Sequence, residues 1–159
     1  MQRILFVCLG NICRSPMAKF ILQDRVNKAS LSEEFEIDSA ATSSYEVGED
    51  IYPPAREKLK EHNVNSDGHS ARQISKADYD YFDRIIAMDN SNLKNLEKIL
   101  GKDRDNKISL LLDYTDEPRD VQDPWHTRDF EATWQDVNNG LDGLVKDLGY
   151  TELSRNSLK

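Results

Sequence analysis

Cys8 and Arg14 are separated by five residues in the segment CLGNICR, which follows a short apolar run at residues 4–7 and precedes a segment with helical periodicity. The N-terminus of a helix presents unpaired N–H groups and a partial positive charge, so a loop at this position can bind an anion. The planar guanidinium of Arg14 could hold two oxygens of a phosphate-sized anion. The same groups would favour the thiolate form of Cys8, which is the nucleophilic form. The segment therefore predicts an anion-binding loop with a cysteine nucleophile beneath the anion.

The residue types between Cys8 and Arg14 suit an anion-binding loop. Gly10 can adopt a positive φ without penalty, and Asn11 tolerates the left-handed region better than most residues. Successive backbone N–H groups could therefore converge on one anion. Ser15 could donate its hydroxyl to the sulfur of Cys8 and ease the departure of that sulfur from a phosphocysteine. We also predict Ser15 as the N-cap of the following helix, with Pro16 at its first position.

The cysteine segment could also have a purely structural role or arise by chance. A cysteine at the end of an apolar strand is usually a small core residue. The spacing Cys-x5-Arg alone is expected by chance in about one chain in ten with two cysteines. The serine, the glycine, the preceding strand and the following helix together favour the functional interpretation. Two cysteines and three scattered histidines lack the spacing of a zinc site, and no Gly-Lys-Ser/Thr marks a nucleotide-binding loop, so no metal and no cofactor is expected.

Cleavage of a phosphate ester also needs an acid, because the leaving oxygen must be protonated and a thiolate cannot do this. The polar loop after residue 112 offers five carboxylates: Asp113, Asp116, Glu117, Asp120 and Asp123. We favour Asp123, because Pro124 stiffens the chain after it and Trp125 could form an apolar wall. An isolated Asp-Pro is usually only a turn. Its pairing with the cysteine loop is what makes Asp123 the candidate acid.

Strands and helices alternate along the chain. We predict strands at residues 3–7, 35–42, 84–89 and 107–113, and helices at 16 onward, 52–62, 90–100 and a final one with Trp134, Val137, Leu141, Leu144 and Leu148 on one face. This alternation predicts an α/β fold of three layers, a four-stranded parallel sheet with helices on both faces. Such sheets bind ligands at the carboxyl ends of their strands, which is where the Cys8 loop lies.

The composition narrows the classes of function. The chain has 159 residues, enough for a single domain spanning 1–159, and it is 38% hydrophobic and 31% charged, as in globular proteins. Its net charge of −8 argues against nucleic-acid partners and against binding to an anionic membrane surface. No membrane span or signal peptide is recognisable, and two cysteines do not make a disulfide framework. These features predict a reducing, cytoplasmic location.

The segment VCLGNICRSP together with the later DPW resembles the low-molecular-weight protein tyrosine phosphatases. The segments DSAATSSYEVG, GHSARQI and AMDNSNL are similar to that family too, so the likeness covers nearly the whole chain. The resemblance implies a Rossmann-like phosphatase I fold with a four-stranded parallel sheet. It also implies hydrolysis of phosphotyrosine in proteins or peptides through a phosphocysteine, and binding of phosphate and oxyanion inhibitors.

The resemblance further assigns roles to individual residues. It implies Cys8 as nucleophile, Arg14 as the group that binds the phosphate and the transition state, and Asp123 as general acid and then base, while Ser15 stabilises the thiolate. The rest of the phosphate loop is then Leu9, Gly10, Asn11, Ile12 and Cys13.

Other segments of the chain also match family positions. The resemblance implies a hydrogen-bond network of Asn11, Ser39 and His69 that holds Asn11 in a strained conformation. The family's pocket walls correspond to Leu9, Ile12, Tyr45 and Trp125. Asp89 also matches a family position near the loop. From the sequence alone, Ser39 and His69 would be an ordinary strand serine and an ordinary loop histidine.

The chain departs from the family where animal members have two adjacent tyrosines after Asp-Pro. Trp125 and His126 stand there instead, which excludes regulation by phosphorylation at these two positions. Trp125 keeps an aromatic wall. His126 could tune the preference for a leaving group or peptide, or it could be a solvated residue without such a role.

Several alternatives share the cysteine loop. Arginine phosphatases of the same fold tend to have Thr where this chain has Ile12, and an apolar residue suits a phenyl ring better than a guanidinium. Arsenate reductases coupled to thioredoxin need an additional cysteine pair, which this chain lacks. A noncatalytic phosphoprotein-binding module would not need both Cys8 and Asp123. A thiol redox function could coexist with catalysis, since Cys13 could form a disulfide with an oxidised Cys8.

Overall fold

A four-stranded parallel sheet lies at the centre of the computed structural model, which describes residues 1–158. The strand order is β2-β1-β3-β4, and the strands are β1 Gln2–Cys8, β2 Phe35–Ala41, β3 Arg84–Ala87 and β4 Ile108–Leu110. β1 is a central strand, and its Val7 pairs with Ala40 on one side and with Ala87 on the other. The side chains at positions 4–7 are fully buried because helices cover both faces of the sheet.

Within residues 1–158, six α-helices accompany the sheet: α1 Arg14–Lys28, α2 Pro53–Glu61, α3 Lys76–Tyr81, α4 Asn90–Leu100, α5 Pro124–Thr127 and α6 Phe130–Asp147. The same part of the chain has four short 3₁₀ segments at Ser32–Glu34, Leu111–Tyr114, Thr151–Leu153 and Arg155–Leu158. The predicted fold class, a three-layer α/β fold with a four-stranded parallel sheet, is confirmed. Among residues 1–158, no helix combines the length and the apolar character that crossing a membrane requires.

The alternation of side chains along β1 divides the core into two parts. Ile4 and Phe6 pack on the face that α1, α2 and α6 cover, together with residues such as Met17. Leu5 and Val7 pack on the opposite face, which α3 and α4 cover. The two apolar layers hold β1 rigidly on both sides, and the loop that follows Cys8 therefore starts from a fixed point.

The helix after the cysteine loop begins earlier than the sequence indicated. α1 starts at Arg14 with Cys13 at its N-cap position, whereas we predicted Ser15 as the N-cap and Pro16 as the first helical residue. Ser15 instead lies in the first turn, where its hydroxyl contacts the sulfur of Cys8. The helix that we proposed from Tyr52–Pro54 onward is present as α2, and Gly101 follows α4 with a positive φ of 81°.

Other differences concern the ends of strands and two short helices. β3 ends at Ala87 and β4 at Leu110, so both strands are shorter than predicted. Residues 111–114 form a 3₁₀ turn instead of continuing the strand, and α6 packs closely on this turn. A Cβ at Gly143 would lie 2.0 Å from the carbonyl oxygen of Tyr114, so only glycine permits this approach. The short helices α3 and α5 were not predicted.

Candidate active site

The loop between β1 and α1 wraps around the sulfur of Cys8. The backbone N–H of Asn11 donates to Cys8 Sγ at 3.3 Å, and the hydroxyl of Ser15 lies 3.0 Å from the same sulfur. Asn11 has a φ of 60°, so the left-handed residue of the loop is Asn11 and not Gly10. Gly10 instead leaves room for Glu46, whose side chain packs against the loop. A Cβ at position 10 would lie only 3.3 Å from Cγ of Glu46.

The strained conformation of Asn11 is held by hydrogen bonds on all sides. Its Nδ2 donates to Ser15 Oγ at 2.8 Å and to Ser39 Oγ at 2.9 Å. Its Oδ1 accepts from the backbone N–H of Arg72 at 3.2 Å, and its carbonyl oxygen lies 2.7 Å from Nε2 of His69. The structure thus brings Asn11, Ser39 and His69 together. Arg72 is an additional contributor that the sequence did not indicate.

His69 is buried, and this determines how it supports the loop. Burial lowers the pKa of its imidazole, and although the bond to the Asn11 carbonyl opposes this shift, the net direction is downward. A neutral ring therefore donates from Nε2, because a carbonyl oxygen can only accept. Phe20 contacts the ring edge to face, with 6.1 Å between ring centroids. The imidazole acts as a donor to the loop between β1 and α1.

Arg14 is almost fully buried and is aimed by two contacts. Its Nη1 donates to Asp89 Oδ2 at 2.6 Å and to the carbonyl oxygen of Val121 at 2.8 Å. Burial alone would lower the pKa of Arg14, but the neighbouring Cys8 sulfur and Asp89 raise it, so the guanidinium stays charged. Asp89 is itself held as the N-cap of α4, where Oδ1 accepts from the N–H of Asn92 at 2.7 Å. Because Nη1 is the only nitrogen of Arg14 that donates a hydrogen bond within residues 1–158, Nε and Nη2 are left for an anion in the loop.

Asp123 lies at the mouth of the same pocket. Its Oδ1 accepts from the backbone N–H of Trp125 at 3.0 Å, which makes Asp123 the N-cap of α5. Its Oδ2 lies 3.7 Å from Nη2 of Arg14. The loop that carries Asp123 is tied to the sheet, because the N–H of Val121 donates to the carbonyl of Met88 at 2.8 Å. A carboxylate held this way can reach the oxygen of a group bound at Arg14.

The other four candidate acids lie elsewhere. Asp113 accepts from the N–H of Leu110 at 3.0 Å, and Asp120 accepts from the backbone and side chain of Asn90. Asp116 and Glu117 line a separate groove beside α6. Of the five carboxylates that the sequence offered, Asp123 is the one that lines the cysteine pocket.

The pocket itself has a volume of about 230 Å³, and its lining contains every residue that we predicted as a wall. The lining residues are Cys8, Leu9, Gly10, Ile12, Cys13, Arg14, Ser43, Tyr45, Glu46, Asp123, Trp125 and His126. Ser43 and Glu46 were not predicted. Ser43 donates its hydroxyl to the carbonyl of Leu9 at 2.9 Å. No sequence signal distinguishes either residue from ordinary polar loop residues.

The aromatic wall is held by neighbours that the sequence did not indicate. The rings of Trp125 and Tyr52 are 4.7 Å apart between centroids. The guanidinium carbon of Arg128 lies 5.4 Å from the Trp125 ring, and Nη1 of Arg128 donates to the Tyr52 hydroxyl at 2.7 Å. Tyr45 on the other side is 85% exposed. One wall is therefore supported, and the other projects into solvent.

Cys13 is the second cysteine of the loop, and it differs from Cys8 in its surroundings. It is buried, and this burial together with the nearby Cys8 and Asp123 raises the pKa of its thiol well above the ordinary value. Cys13 therefore remains a thiol at neutral pH. Both cysteines are free.

Comparisons with known proteins agree with this geometry. A family model described as low molecular weight phosphotyrosine protein phosphatase matches residues 3–156. The chain is 40% identical to the low molecular weight protein-tyrosine-phosphatase YfkJ of Bacillus subtilis over 147 residues, which cover 91% of this chain and 94% of that protein. It is 40% identical to the human low molecular weight phosphotyrosine protein phosphatase over 139 residues, which cover 84% and 87% of the two chains.

Solved structures are also similar to this chain over nearly its whole length. The crystal structure of Bacillus subtilis YfkJ superimposes with a TM-score of 0.90 at 38% identity and covers 94% of this chain and 95% of that chain. A Drosophila arginine phosphatase superimposes with a TM-score of 0.84 at 35% identity and covers 93% and 98%.

Proposed function

The chain belongs to the low molecular weight phosphotyrosine protein phosphatase family, a family of hydrolases, and we propose that it hydrolyses phosphotyrosine in proteins through a phosphocysteine on Cys8. One observation carries the proposal. The thiol of Cys8, the buried guanidinium of Arg14 and the carboxylate of Asp123, whose Oδ2 lies 3.7 Å from Arg14 Nη2, line the same pocket. Each of these groups has a role in phosphoryl transfer.

In the first step, the thiolate of Cys8 attacks phosphorus, and the bond from phosphorus to the tyrosine oxygen breaks. The proton that this oxygen needs comes from the carboxylic acid of Asp123. Arg14 and the loop N–H groups hold the equatorial oxygens, on which negative charge is spread in the transition state. The products are the tyrosine hydroxyl and a phosphocysteine.

In the second step, water attacks the phosphocysteine, and the carboxylate of Asp123 accepts a proton from that water. The phosphorus–sulfur bond breaks, and inorganic phosphate leaves. The hydroxyl of Ser15, 3.0 Å from Cys8 Sγ, can donate to the departing sulfur and stabilise it as a thiolate. The enzyme returns to its starting state without any metal or cofactor in this scheme.

The network behind the loop supports catalysis by fixing the donors in advance. Preorganised N–H groups stabilise a transition state without the cost of reorientation during the reaction. Asn11 holds a left-handed conformation that most residues avoid, and its bonds to Ser39, His69 and Arg72 oppose relaxation of that strain. We infer that these residues position the loop and do not react themselves.

The pocket walls support phosphotyrosine as the substrate. Leu9, Ile12, Tyr45 and Trp125 offer apolar and aromatic surface around the loop, which suits a phenyl ring. The runner-up substrate is phosphoarginine, since a Drosophila arginine phosphatase has a similar structure. Ile12 weighs against it, because an apolar side chain gives the polar guanidinium no hydrogen-bond acceptor. Arsenate reduction has less support, because it would need cysteines beyond Cys8 and Cys13.

The proposal extends to partners, organisation and location. The same loop would bind phosphate and oxyanion inhibitors competitively, whereas nucleic acids and membranes are not proposed as partners of a chain with a net charge of −8. We propose a single domain over residues 1–159. We also propose a cytoplasmic location, which the two free cysteines of the loop support because a reducing compartment keeps them available.

A panel of phosphopeptides tests the substrate. Peptides with identical flanking sequences carry phosphotyrosine, phosphoserine or phosphoarginine, and kcat/KM is measured for each. We expect phosphotyrosine to be the best substrate. The variant Ile12→Thr should weaken phosphotyrosine turnover and relatively favour phosphoarginine. Its matched control is Ile12→Val, which has the shape of threonine without the hydroxyl and should keep the order of the wild type. A wild type that prefers phosphoarginine would show that the tyrosine assignment is wrong.

A further inference from the structure

A second groove adjoins the candidate active site. It has a volume of about 320 Å³ and shares Ile12, Glu46 and Trp125 with the cysteine pocket. We call it the flanking groove. Glu49, Asp50, Tyr52 and Arg56 are among its other lining residues. Because the two cavities share walls, a peptide whose phosphotyrosine occupies the pocket has neighbouring side chains within reach of the flanking groove.

The charges in this groove are unbalanced. Asp50 pairs with Arg56, so these two charges offset each other. The carboxylates of Glu46 and Glu49 have no cationic partner among residues 1–158. The groove therefore presents two carboxylates outside any ion pair of the described residues, next to the loop that we propose to hold a phosphate.

Glu46 is in the more unusual position of the two. It is half-buried, and its side chain packs against Gly10 of the loop. Like charges repel, and the repulsion is strongest where the groups are partly shielded from water. A carboxylate at this point weakens the binding of every phosphate, unless the ligand also carries a positive charge beside it. The arrangement favours ligands that bring such a charge.

We propose that the flanking groove receives a lysine or arginine side chain that lies close in sequence to the phosphotyrosine of the substrate. This proposal rests on the proposed function and adds a substrate class to it. The ammonium or guanidinium group would bind Glu46 and Glu49, and the aliphatic part would lie along the rings of Trp125 and Tyr52. The two glutamates would thus select basic phosphotyrosine peptides over acidic ones.

Turnover of a peptide series tests this selection. Each peptide has one phosphotyrosine in an otherwise neutral sequence, with Lys, Gln or Glu at one position from two residues before to two residues after it. At one or more positions we expect kcat/KM to be about three- to fivefold higher for Lys than for Gln, the upper size expected for one ion pair near the surface. The ratio should fall below about twofold in E46Q/E49Q and at high salt.

The inhibition constant of inorganic phosphate is a second measurement. Here the substitution of Glu46 is expected to strengthen binding, whereas it should weaken binding of the Lys peptide. In E46Q, phosphate should bind about two- to fivefold more tightly, because a like charge is removed. The same variant should bind the Lys peptide more weakly. A merely loosened loop would weaken both ligands. The control is E57Q, which removes one charge from α2 outside the pocket and the flanking groove and should change neither value.

The outcomes separate the two proposals. If the Gln peptide with phosphotyrosine is not hydrolysed, the proposed function fails. If it is hydrolysed but Lys, Gln and Glu differ by less than about twofold at every position, or if E57Q abolishes the preference as E46Q/E49Q does, the flanking groove does not select a cation and the inference is overturned.

Discussion

The two sides of the candidate pocket differ in burial and in bonding. On the loop side, Asn11 and Ser15 are fully buried, and several hydrogen bonds fix each of them. On the substrate side, Tyr45 is 85% exposed and the side chain of His126 is 75% exposed. Trp125 lies between these extremes, since it is partly exposed but packs on Tyr52. The loop side is therefore constrained by buried hydrogen bonds, whereas most of the wall has few contacts to constrain it.

This difference suggests a division of roles. Substitutions on the loop side should reduce the turnover of all phosphate esters alike, because they affect the groups that act on the phosphate. Substitutions on the wall should change the ratio between substrates, because they affect only the leaving group and its surroundings.

The largest effect is expected for Cys8, the proposed nucleophile. Cys8→Ser should lower kcat by at least about 10⁴-fold with every substrate, because a hydroxyl is a far weaker nucleophile at neutral pH. Phosphate or vanadate should still bind, since the loop N–H groups and Arg14 are unchanged. Kinetics and a competitive binding assay measure these two properties separately. Cys13→Ser should lose far less activity, because the Cys13 thiol has a raised pKa and does not react.

The next prediction concerns Asp123, the proposed acid, which contacts both Arg14 on the loop side and Trp125 on the substrate side. Asp123→Asn should lower the turnover of phosphotyrosine or phenyl phosphate by about 10²–10⁴-fold, which is the usual contribution of a general acid. The loss with p-nitrophenyl phosphate should be smaller, because its leaving group needs less protonation.

Asp120→Asn is the matched control for this prediction. Asp120 accepts from Asn90 and lies outside the pocket, so its variant should show no dependence on the leaving group. If Asp120→Asn shows that dependence and Asp123→Asn does not, the acid has been assigned to the wrong residue.

A smaller loss of kcat is expected when His69, which donates to the loop, is replaced. His69→Ala removes the donor to the Asn11 carbonyl at 2.7 Å. We expect kcat to fall by about tenfold for phosphotyrosine and p-nitrophenyl phosphate alike, because a displaced loop aims its donors poorly whatever the leaving group is. His62→Ala is the control, since His62 is exposed and stacks on Trp134 away from the pocket. A loss confined to one substrate would contradict the assignment of His69 to the loop side.

The sequence was most informative where one residue type fits one backbone position. The buried run at 4–7, the loop after it and the final amphipathic helix were predictable, because periodicity and burial agree there. Residue type alone did not identify the left-handed residue, because both Gly10 and Asn11 tolerate a positive φ. The family resemblance pointed to Asn11, whose side chain and carbonyl are held by hydrogen bonds in the structure. The short helix α3 has six residues, too few for a periodic pattern.

The neighbours that support the pocket and the loop were the least predictable part. Glu46 and Tyr52 reach the pocket region through tertiary packing, and nothing in their local sequence marks them. The same holds for Arg72, whose contribution is a backbone N–H that any residue could donate. Chemistry-bearing side chains can be recognised by type and spacing, but neighbours that act through shape or through the backbone cannot.

The carboxylate of Asp38 contributes indirectly to holding the loop. Asp38 pairs with Lys19 and Arg72, and the backbone of Arg72 donates to Asn11. Burial raises the pKa of Asp38, but the N–H of Ser39 and the two cations outweigh burial and lower it overall. A carboxylate whose pKa is lowered on folding stabilises the folded state above the pKa of the unfolded chain, about 4. That contribution is lost as the pH falls through the folded value.

The smallest effect is therefore a pH-dependent one. At pH 7, Asp38→Asn should lower the free energy of unfolding by about 0.5–1 kcal/mol, a modest value because the side chain is 37% exposed and solvent screens its ion pairs. Urea unfolding between pH 3 and pH 7 should show the difference from the wild type shrinking below about pH 4, as Asp38 becomes protonated in the wild type too. Asp80→Asn, at an exposed site on α3, should show no such convergence. A constant difference at every pH would mean that Asp38 supports the loop through its shape and not through its charge.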